Sequence, residues 1–252
     1  SHLMYGTGNT AIGMRRRIGY RLDHWMKSMT LWQNCEMIEM YLSRVMLNLN
    51  KRDTIKALAS SAIFHGAVES AFEGEKKRRL WRIDTLRGKR YILILSEDVP
   101  NLDGFAAQFG YAGEYETKNY DSLLERIENG SVWRFRLTAN PTYAKSDGTG
   151  DKRGKVKAHR TEEHQREWLI RKADQNGFSV SNNDFSVNGA EFLRFRKRDN
   201  SNSRMVNMIS VTYDGVLHVT DKERFKRALC CGIGREKAHG MGLLTVMRAS
   251  NG

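Results

Sequence analysis

Sustained alternation of apolar and polar side chains begins at Met40, where Leu42, Val45 and Leu47 could turn toward a core from a strand over residues 41–49. Residues 5–39 differ: Arg15, Arg16 and Arg17, scattered glycine and methionine, and a short helical patch over residues 22–35 show no lasting core pattern, so they read as an extension. After the strand, Asp53 or Thr54 is expected to cap a helical region that runs to Phe72. Ser60 and Ser61 interrupt that region and offer a second N-cap, which leaves one helix or two short ones. Phe64, Ala67, Val68, Ala71 and Phe72 form the apolar stripe of the second.

Strands over residues 79–85 and 90–95 follow, joined by Arg87, Gly88 and Lys89 in a hairpin turn that glycine permits. A short apolar segment at residues 102–109, a helix over 120–128 and a strand over 132–138 ended by Asn140-Pro141 complete a βαββαβ pattern, the ferredoxin-like arrangement. Residues 145–155, with Gly148, Gly150 and Gly154 among charges, are expected to be a flexible connection between two domains, 40–145 and 146–252. In the second half a helix over residues 161–176 is capped by Thr161 and stopped by Gly177. Strands over 192–196, 205–213 and 216–219 come next, the last two separated by Asp214-Gly215 as a hairpin turn. Asp221 caps a helix reaching Cys231, and a strand over 243–247 ends the pattern, so this half also reads as an α/β sandwich.

Composition narrows the partner. The chain has 252 residues, 40% hydrophobic, enough for a sizeable core, and carries a net charge of +13, which favours a polyanion such as nucleic acid. Cys35, Cys230 and Cys231 make neither a CxxC motif nor an even disulfide framework, so a reducing compartment is expected. Apolar runs such as residues 91–95 are strand-sized, far below the roughly 20 residues of a membrane helix. Ser1 to Met4 read as the remnant of a cloning site, and no secretion signal follows them, which points to the cytoplasm.

Three groups of residues could carry chemistry. Residues 232–242 concentrate Gly232, Gly234, Gly240 and Gly242 around Arg235 and Lys237. The spacing is neither a phosphate loop nor a dinucleotide fingerprint, which leaves an ordinary helix-to-strand turn or a loop that brings backbone amides and two cations close to a phosphate chain. A basic strip of Lys152, Arg153, Lys155, Lys157 and Arg160, with Arg134 and Arg136 in the strand before it, could follow a phosphate backbone or be a solvated surface. Of seven histidines, none has zinc-site spacing. His65 falls in the first turns of the second helix, about 100° round from Phe64, where its ring edges the core and reaches solvent. Such a histidine is either structural or a proton acceptor.

The order Met40-Tyr41-Leu42-Ser43-Arg44-Val45, then Phe64-His65, then Phe135-Arg136-Leu137-Thr138-Ala139-Asn140-Pro141, then the glycine-rich ending with Gly242-Leu243-Leu244, resembles the CasE family. These are the CRISPR precursor-RNA endoribonucleases of type I-E Cascade complexes. The resemblance implies two tandem ferredoxin-like, RRM-related domains in an α+β fold. It implies binding to the stem-loop of the CRISPR repeat, one metal-independent cut at the 3′ base of the stem with no cofactor, and retention of the guide RNA beside other Cascade subunits, without a membrane partner. His65 matches the family's catalytic histidine, residues 232–242 its glycine-rich loop, and residues 152–160 a basic hairpin that approaches RNA. Some relatives carry a tyrosine three positions before the histidine, where this chain has Ala62, and the extension before Met40 is foreign to the family. A non-catalytic RNA-binding or scaffolding subunit is the alternative.

Overall fold

The computed structural model describes residues 39–145, 155–199 and 202–249, and the expected extension and helical patch before residue 39 lie outside them. The first sheet is built from β1 (Tyr41–Met46), β2 (Leu80–Leu86), β3 (Lys89–Ser96) and β4 (Tyr115–Asn119), antiparallel in the order β2-β3-β1-β4. Between β1 and β2 stand α1 (Arg52–Ala59) and α2 (Ser61–Ser70), and between β3 and β4 stands α3 (Asp103–Phe109). This is the ferredoxin-like βαββαβ order. The β2–β3 hairpin turns on Arg87 and Gly88, both with positive φ (50° and 75°), the conformation a two-residue turn imposes.

The helical region is two helices, because Ser60 is extended (φ −142°) between them. Neither Asp53 nor Thr54 caps the first: α1 starts at Arg52 with Lys51 at the N-cap. Thr54 is buried instead, and its hydroxyl donates to the Phe109 carbonyl at 2.8 Å, tying α1 to the end of α3.

A second sheet is built on the same plan. After the short α4 (Asp121–Leu124) come β5 (Val132–Ala139), the hairpin β6 (Thr142–Lys145) and β7 (Lys155–Ala158), and α5 (Glu162–Gln175). They are followed by β8 (Phe178–Ser179), β9 (Phe185–Asp199), β10 (Asn202–Val219), α6 (Lys222–Cys231), a 3-10 turn at Lys237–His239 and β11 (Leu244–Arg248). The strand order is β11-β5-β10-β8, with β9 also pairing β10. The fold is therefore mixed α and β with two tandem ferredoxin-like units.

Other expectations change as well. The strand over 132–138 does not close the first sheet but lies between β10 and β11 in the second. The first sheet closes with β4, whose sequence Tyr-Glu-Thr-Lys-Asn has no apolar alternation because it is a solvated edge strand. The helix expected over 120–128 shrinks to α4. Residues 145–155 do not lead from one domain to another: Lys145 pairs with Lys155 across β6 and β7, so the chain goes out and comes back. Residues 146–154, with Lys152 and Arg153, lie outside the described residues.

Asp214-Gly215 is not a turn but the middle of β10, paired with β5 on one side and β9 on the other. Gly215 is required there by close approach, since a Cβ would sit 2.2 Å from the Asp184 carbonyl oxygen and 2.5 Å from Phe185 Cβ. Asp214 turns its carboxylate to Arg136 at 2.5 Å. Thr161 and Asp221 do cap their helices, accepting from the backbone N–H groups of His164 and Arg224, and Gly177 follows α5 at φ 75°.

Two hydrophobic cores result. Val45, Leu47, Ile92, Ile94 and Trp81 of the first sheet meet Ala57, Phe64, Val68 and Phe105 of the helices. Trp133, Phe135, Leu137, Val211 and Tyr213 of the second sheet meet Trp168, Leu169, Phe225 and Leu229, and this core takes in Leu80 and Leu95 from the first sheet. Arg82 of β2 fastens the sheets. It is 1% exposed and uses its whole guanidinium: a two-pronged pair with Asp84 (2.7 Å each), and bonds to the Arg136 carbonyl (2.9 Å), the Leu243 carbonyl (2.7 Å) and Thr245 Oγ1 (2.7 Å).

Candidate active site

His65 stands on α2, which is anchored by Phe64 and Val68, 1% and 0% exposed. Phe64 packs among the Trp81, Phe105 and Phe109 rings at centroid distances of 5.3 to 6.1 Å. The next residue, His65, is half-buried, and no hydrogen bond or ion pair to a described residue ties its ring. The expected placement at the border of core and solvent is what the helix geometry produces.

The glycine-rich loop reaches this helix. Gly232 ends α6 at φ 73°, and the loop closes on itself where the Ile233 N–H donates to the Gly242 carbonyl (2.8 Å). The Gly242 N–H donates to the Thr138 carbonyl of β5 (2.7 Å), seating the loop on the second sheet. Gly240, at φ 77°, lies against Trp81, where an added Cβ would come within 2.6 Å of the ring. One step away, His239 Nδ1 and Ser61 Oγ of α2 are 2.9 Å apart. Ser61 and His65 are four residues apart and share a helix face. The loop therefore touches the helix one turn from the His65 ring.

The other side of the loop borders the hairpin. Gly234 packs on Trp168, and an open cavity of about 300 Å³ is lined by Gly234, Arg235, Lys172, Trp168, Tyr143 and Val156, among others. Burial, then the Arg171 and Arg235 guanidinium groups, pushes the Lys172 ammonium below its ordinary pKa. Burial and then Arg78 do the same to Lys237. Crowded, partly desolvated cations are an arrangement that a nearby anion would relieve.

The structure thus brings α2, which bears His65, against the 3-10 turn of the glycine-rich loop that holds Lys237 and His239, while Gly234 and Arg235 line the cavity on the loop's other side, toward the hairpin. Lys157 and Arg160 are exposed on the hairpin and just after it, and the backbone of Lys155 pairs in β7. Arg134 is exposed on β5 but lies four residues down the strand from Thr138, about 13 Å at ordinary strand rise, so it is not brought to the loop. Arg136 is engaged by Asp214, which raises its pKa further. Residues that sequence reasoning did not single out include Ser61 as a partner of the loop, Arg82, Lys172 and Tyr143. Ser61 and His239 are 178 residues apart, and no local pattern links them.

Burial pushes the Cys230 thiol up to about 12, which keeps it protonated and unsuited to nucleophilic work. Among the described residues, no group of three His, Cys, Asp or Glu side chains could hold a metal ion, and no helix is long and apolar enough to cross a membrane.

The loop's contact with the first sheet gives a direct test. Gly240→Ala forces a Cβ into the Trp81 ring and a side chain into a left-handed conformation, so it is expected to destabilise the protein by about 1–3 kcal/mol. Urea unfolding measures this, and an unchanged midpoint would mean that the loop does not rest on Trp81.

The family model described as CRISPR associated protein matches residues 40–248. The chain is 29% identical over 217 residues to the CRISPR-associated endoribonuclease Cse3 of Thermus thermophilus, covering 82% of this chain and 99% of that protein. A structure of Thermus thermophilus Cse3 bound to an RNA representing a pre-cleavage complex superposes with a TM-score of 0.69 at 26% identity, over 83% of this chain and 99% of that one. The CRISPR-associated protein Cas6e from Escherichia coli shares the fold, with a TM-score of 0.51 at 19% identity over 83% of this chain and 100% of that one.

Proposed function

Because the chain belongs to the family of CRISPR-associated proteins, we propose that it is a metal-independent endoribonuclease. It cleaves CRISPR precursor RNA at the base of the repeat stem-loop and then keeps the mature guide RNA within Cascade, in the cytoplasm. The observation that carries this reading is the half-buried His65 ring, tied by no hydrogen bond or ion pair to a described residue, one helical turn from the contact between Ser61 and the glycine-rich loop. Support comes from the net charge of +13 and from the likeness to a Cse3 that binds RNA before cleavage.

The chemistry follows from what such a site contains. A 2′-hydroxyl attacks the adjacent phosphorus in line, His65 takes its proton, and the phosphate charge is offset by cations among Lys237, Arg153, Lys155 and Lys157. The products are a 2′,3′-cyclic phosphate and a 5′-hydroxyl. Arg160 and Arg235, with the close backbone approach that Gly232, Gly234, Gly240 and Gly242 permit, would hold the stem-loop backbone, and Arg134 and Arg136 would extend that track along β5.

The test is cleavage of the cognate repeat RNA in chelator with mass analysis of the new ends. Cyclic phosphate and 5′-hydroxyl ends are expected, and a 2′-deoxy nucleotide before the scissile phosphate should block the reaction. Continued turnover of the deoxy substrate would point to hydrolysis by water, and binding without any new ends would reduce the protein to an RNA-binding subunit.

A further inference from the structure

We propose that Ser61 and His239 form the proton-donating half of the cleavage site, with Ser61 touching the leaving oxygen and His239 acting through it. This rests on the reading of His65 as the group that accepts the 2′-hydroxyl proton. The pair is a tertiary contact between the first turn of α2 and the 3-10 turn in the glycine-rich loop, with Ser61 Oγ 2.9 Å from His239 Nδ1. On the far side of the imidazole, Glu236 Oε2 lies 3.9 Å from Nε2, too long for a hydrogen bond but close enough to attract a charged ring. The three side chains therefore run in a line from carboxylate to imidazole to hydroxyl, and the hydroxyl end is the one beside His65.

The loop is strained to make this line. Glu236 is held at φ 61°, a left-handed conformation that is unfavourable for a residue with a side chain. The surroundings over-determine it: the His239 N–H donates to the Glu236 carbonyl at 2.9 Å, Gly240 follows at φ 77° against Trp81, and Gly242 is fixed to β5. Strain kept in this way concentrates at sites whose geometry has a use. His239 has 18% side-chain exposure and Glu236 33%, so the line reaches the surface without being open to bulk water along its length.

Ser61 and His65 occupy successive turns of one helix face, with Cβ atoms about 5–6 Å apart. Two groups so placed can flank one phosphodiester, the base at the attacking oxygen and the donor at the leaving one. As the bond from the 2′-oxygen to phosphorus forms, the bond from phosphorus to the 5′-oxygen breaks. The 2′-hydroxyl proton passes to His65, the Ser61 hydroxyl proton passes to the 5′-oxygen, and the Nδ1 proton of His239 passes to Ser61. His65 ends protonated and His239 neutral, and exchange with water resets both. Ser61 is the catalytic donor, and His239 and Glu236 are positioning residues behind it.

The experiment compares single-turnover cleavage of two repeat RNAs, one with the ordinary 5′-oxygen at the scissile phosphate and one with sulfur in its place. A thiolate leaves without being protonated, so the second substrate bypasses a leaving-group acid. Ser61→Ala and His239→Gln are each expected to slow the ordinary substrate by about 100-fold and to recover most of that loss on the sulfur substrate, whereas His65→Ala stays slow on both. Equal slowing of the two substrates by Ser61→Ala and His239→Gln would assign the pair a structural role and overturn the proposal, as would an undiminished rate on the ordinary substrate. Full activity of His65→Ala on ordinary RNA would instead overturn the reading of His65, so the two failures are distinguishable.

Discussion

Cleavage of the repeat RNA by the His65→Ala protein is expected to fall by about 100- to 10,000-fold, the usual weight of a positioned acid or base, with hairpin affinity nearly intact. The two readouts separate because of how the ring is held. Phe64 and Val68 anchor α2 in the first core, while the half-buried His65 ring has no bond to a described residue to lose. Alanine is also the better helix former, so the variant should melt as the parent does. Single-turnover kinetics with radiolabelled repeat RNA and a filter-binding isotherm measure the two quantities on the same preparation. Undiminished cutting would remove His65 from the reaction, and loss of affinity in step with activity would make it a binding residue.

Arg82→Met is expected to cost about 3–5 kcal/mol of stability, the range seen when one partner of a buried ion pair is removed. Methionine fills part of the volume but leaves the Asp84 carboxylate, only 16% exposed, without its cation. It also removes the Arg82 donor from the Leu243 carbonyl and from the Arg136 carbonyl, which keeps only a longer bond from Thr245 Oγ1 at 3.4 Å beside its sheet partners. Arg82→Lys should fail nearly as badly, since an ammonium cannot reach Asp84 with two parallel bonds while serving two carbonyls and Thr245. Urea unfolding followed by tryptophan fluorescence is well suited to the question, because Trp81 lies in the first core and Trp133 and Trp168 in the second. A loss below about 1 kcal/mol would show that Arg82 does not fasten the sheets. RNA cleavage should fall with this variant as well, because β2, which carries Arg82, also carries the Trp81 on which Gly240 rests.

The strand opening the first sheet, the two helices around Ser60, the hairpin at Arg87-Gly88, the caps at Thr161 and Asp221 and the stop at Gly177 are all local events. Each is set by the rotation of side chains about one element or by the conformations a single residue tolerates, and each is legible in a window of a few residues. The placement of His65 at the edge of a buried stripe is of the same kind: Phe64 and Val68 define the inner face, and helical rotation does the rest.

Sheet membership has a different origin. Trp133, Phe135, Leu137 and Ala139 alternate so cleanly that a strand is certain, yet alternation says only that one face is buried and not against which layer. β4 escaped notice because an edge strand can be polar on both faces, and Asp214-Gly215 misled because a turn-forming pair can also be the place where β10 lies tight against the chain at Asp184 and Phe185.

By itself, then, the sequence determined the alternation of strands and helices in both halves, the positive charge, the helix that bears His65 and the glycine-rich loop, while the pair of ferredoxin-like units was implied by the family resemblance. Only the tertiary structure decided that this loop sets His239 on Ser61, that Arg82 joins the sheets and that the hairpin base shares a cavity with Lys172 and Arg235. The reason is physical. Local conformation follows from short-range sterics and periodicity, whereas the meeting of groups 178 residues apart follows from how two cores pack, which no window of sequence contains.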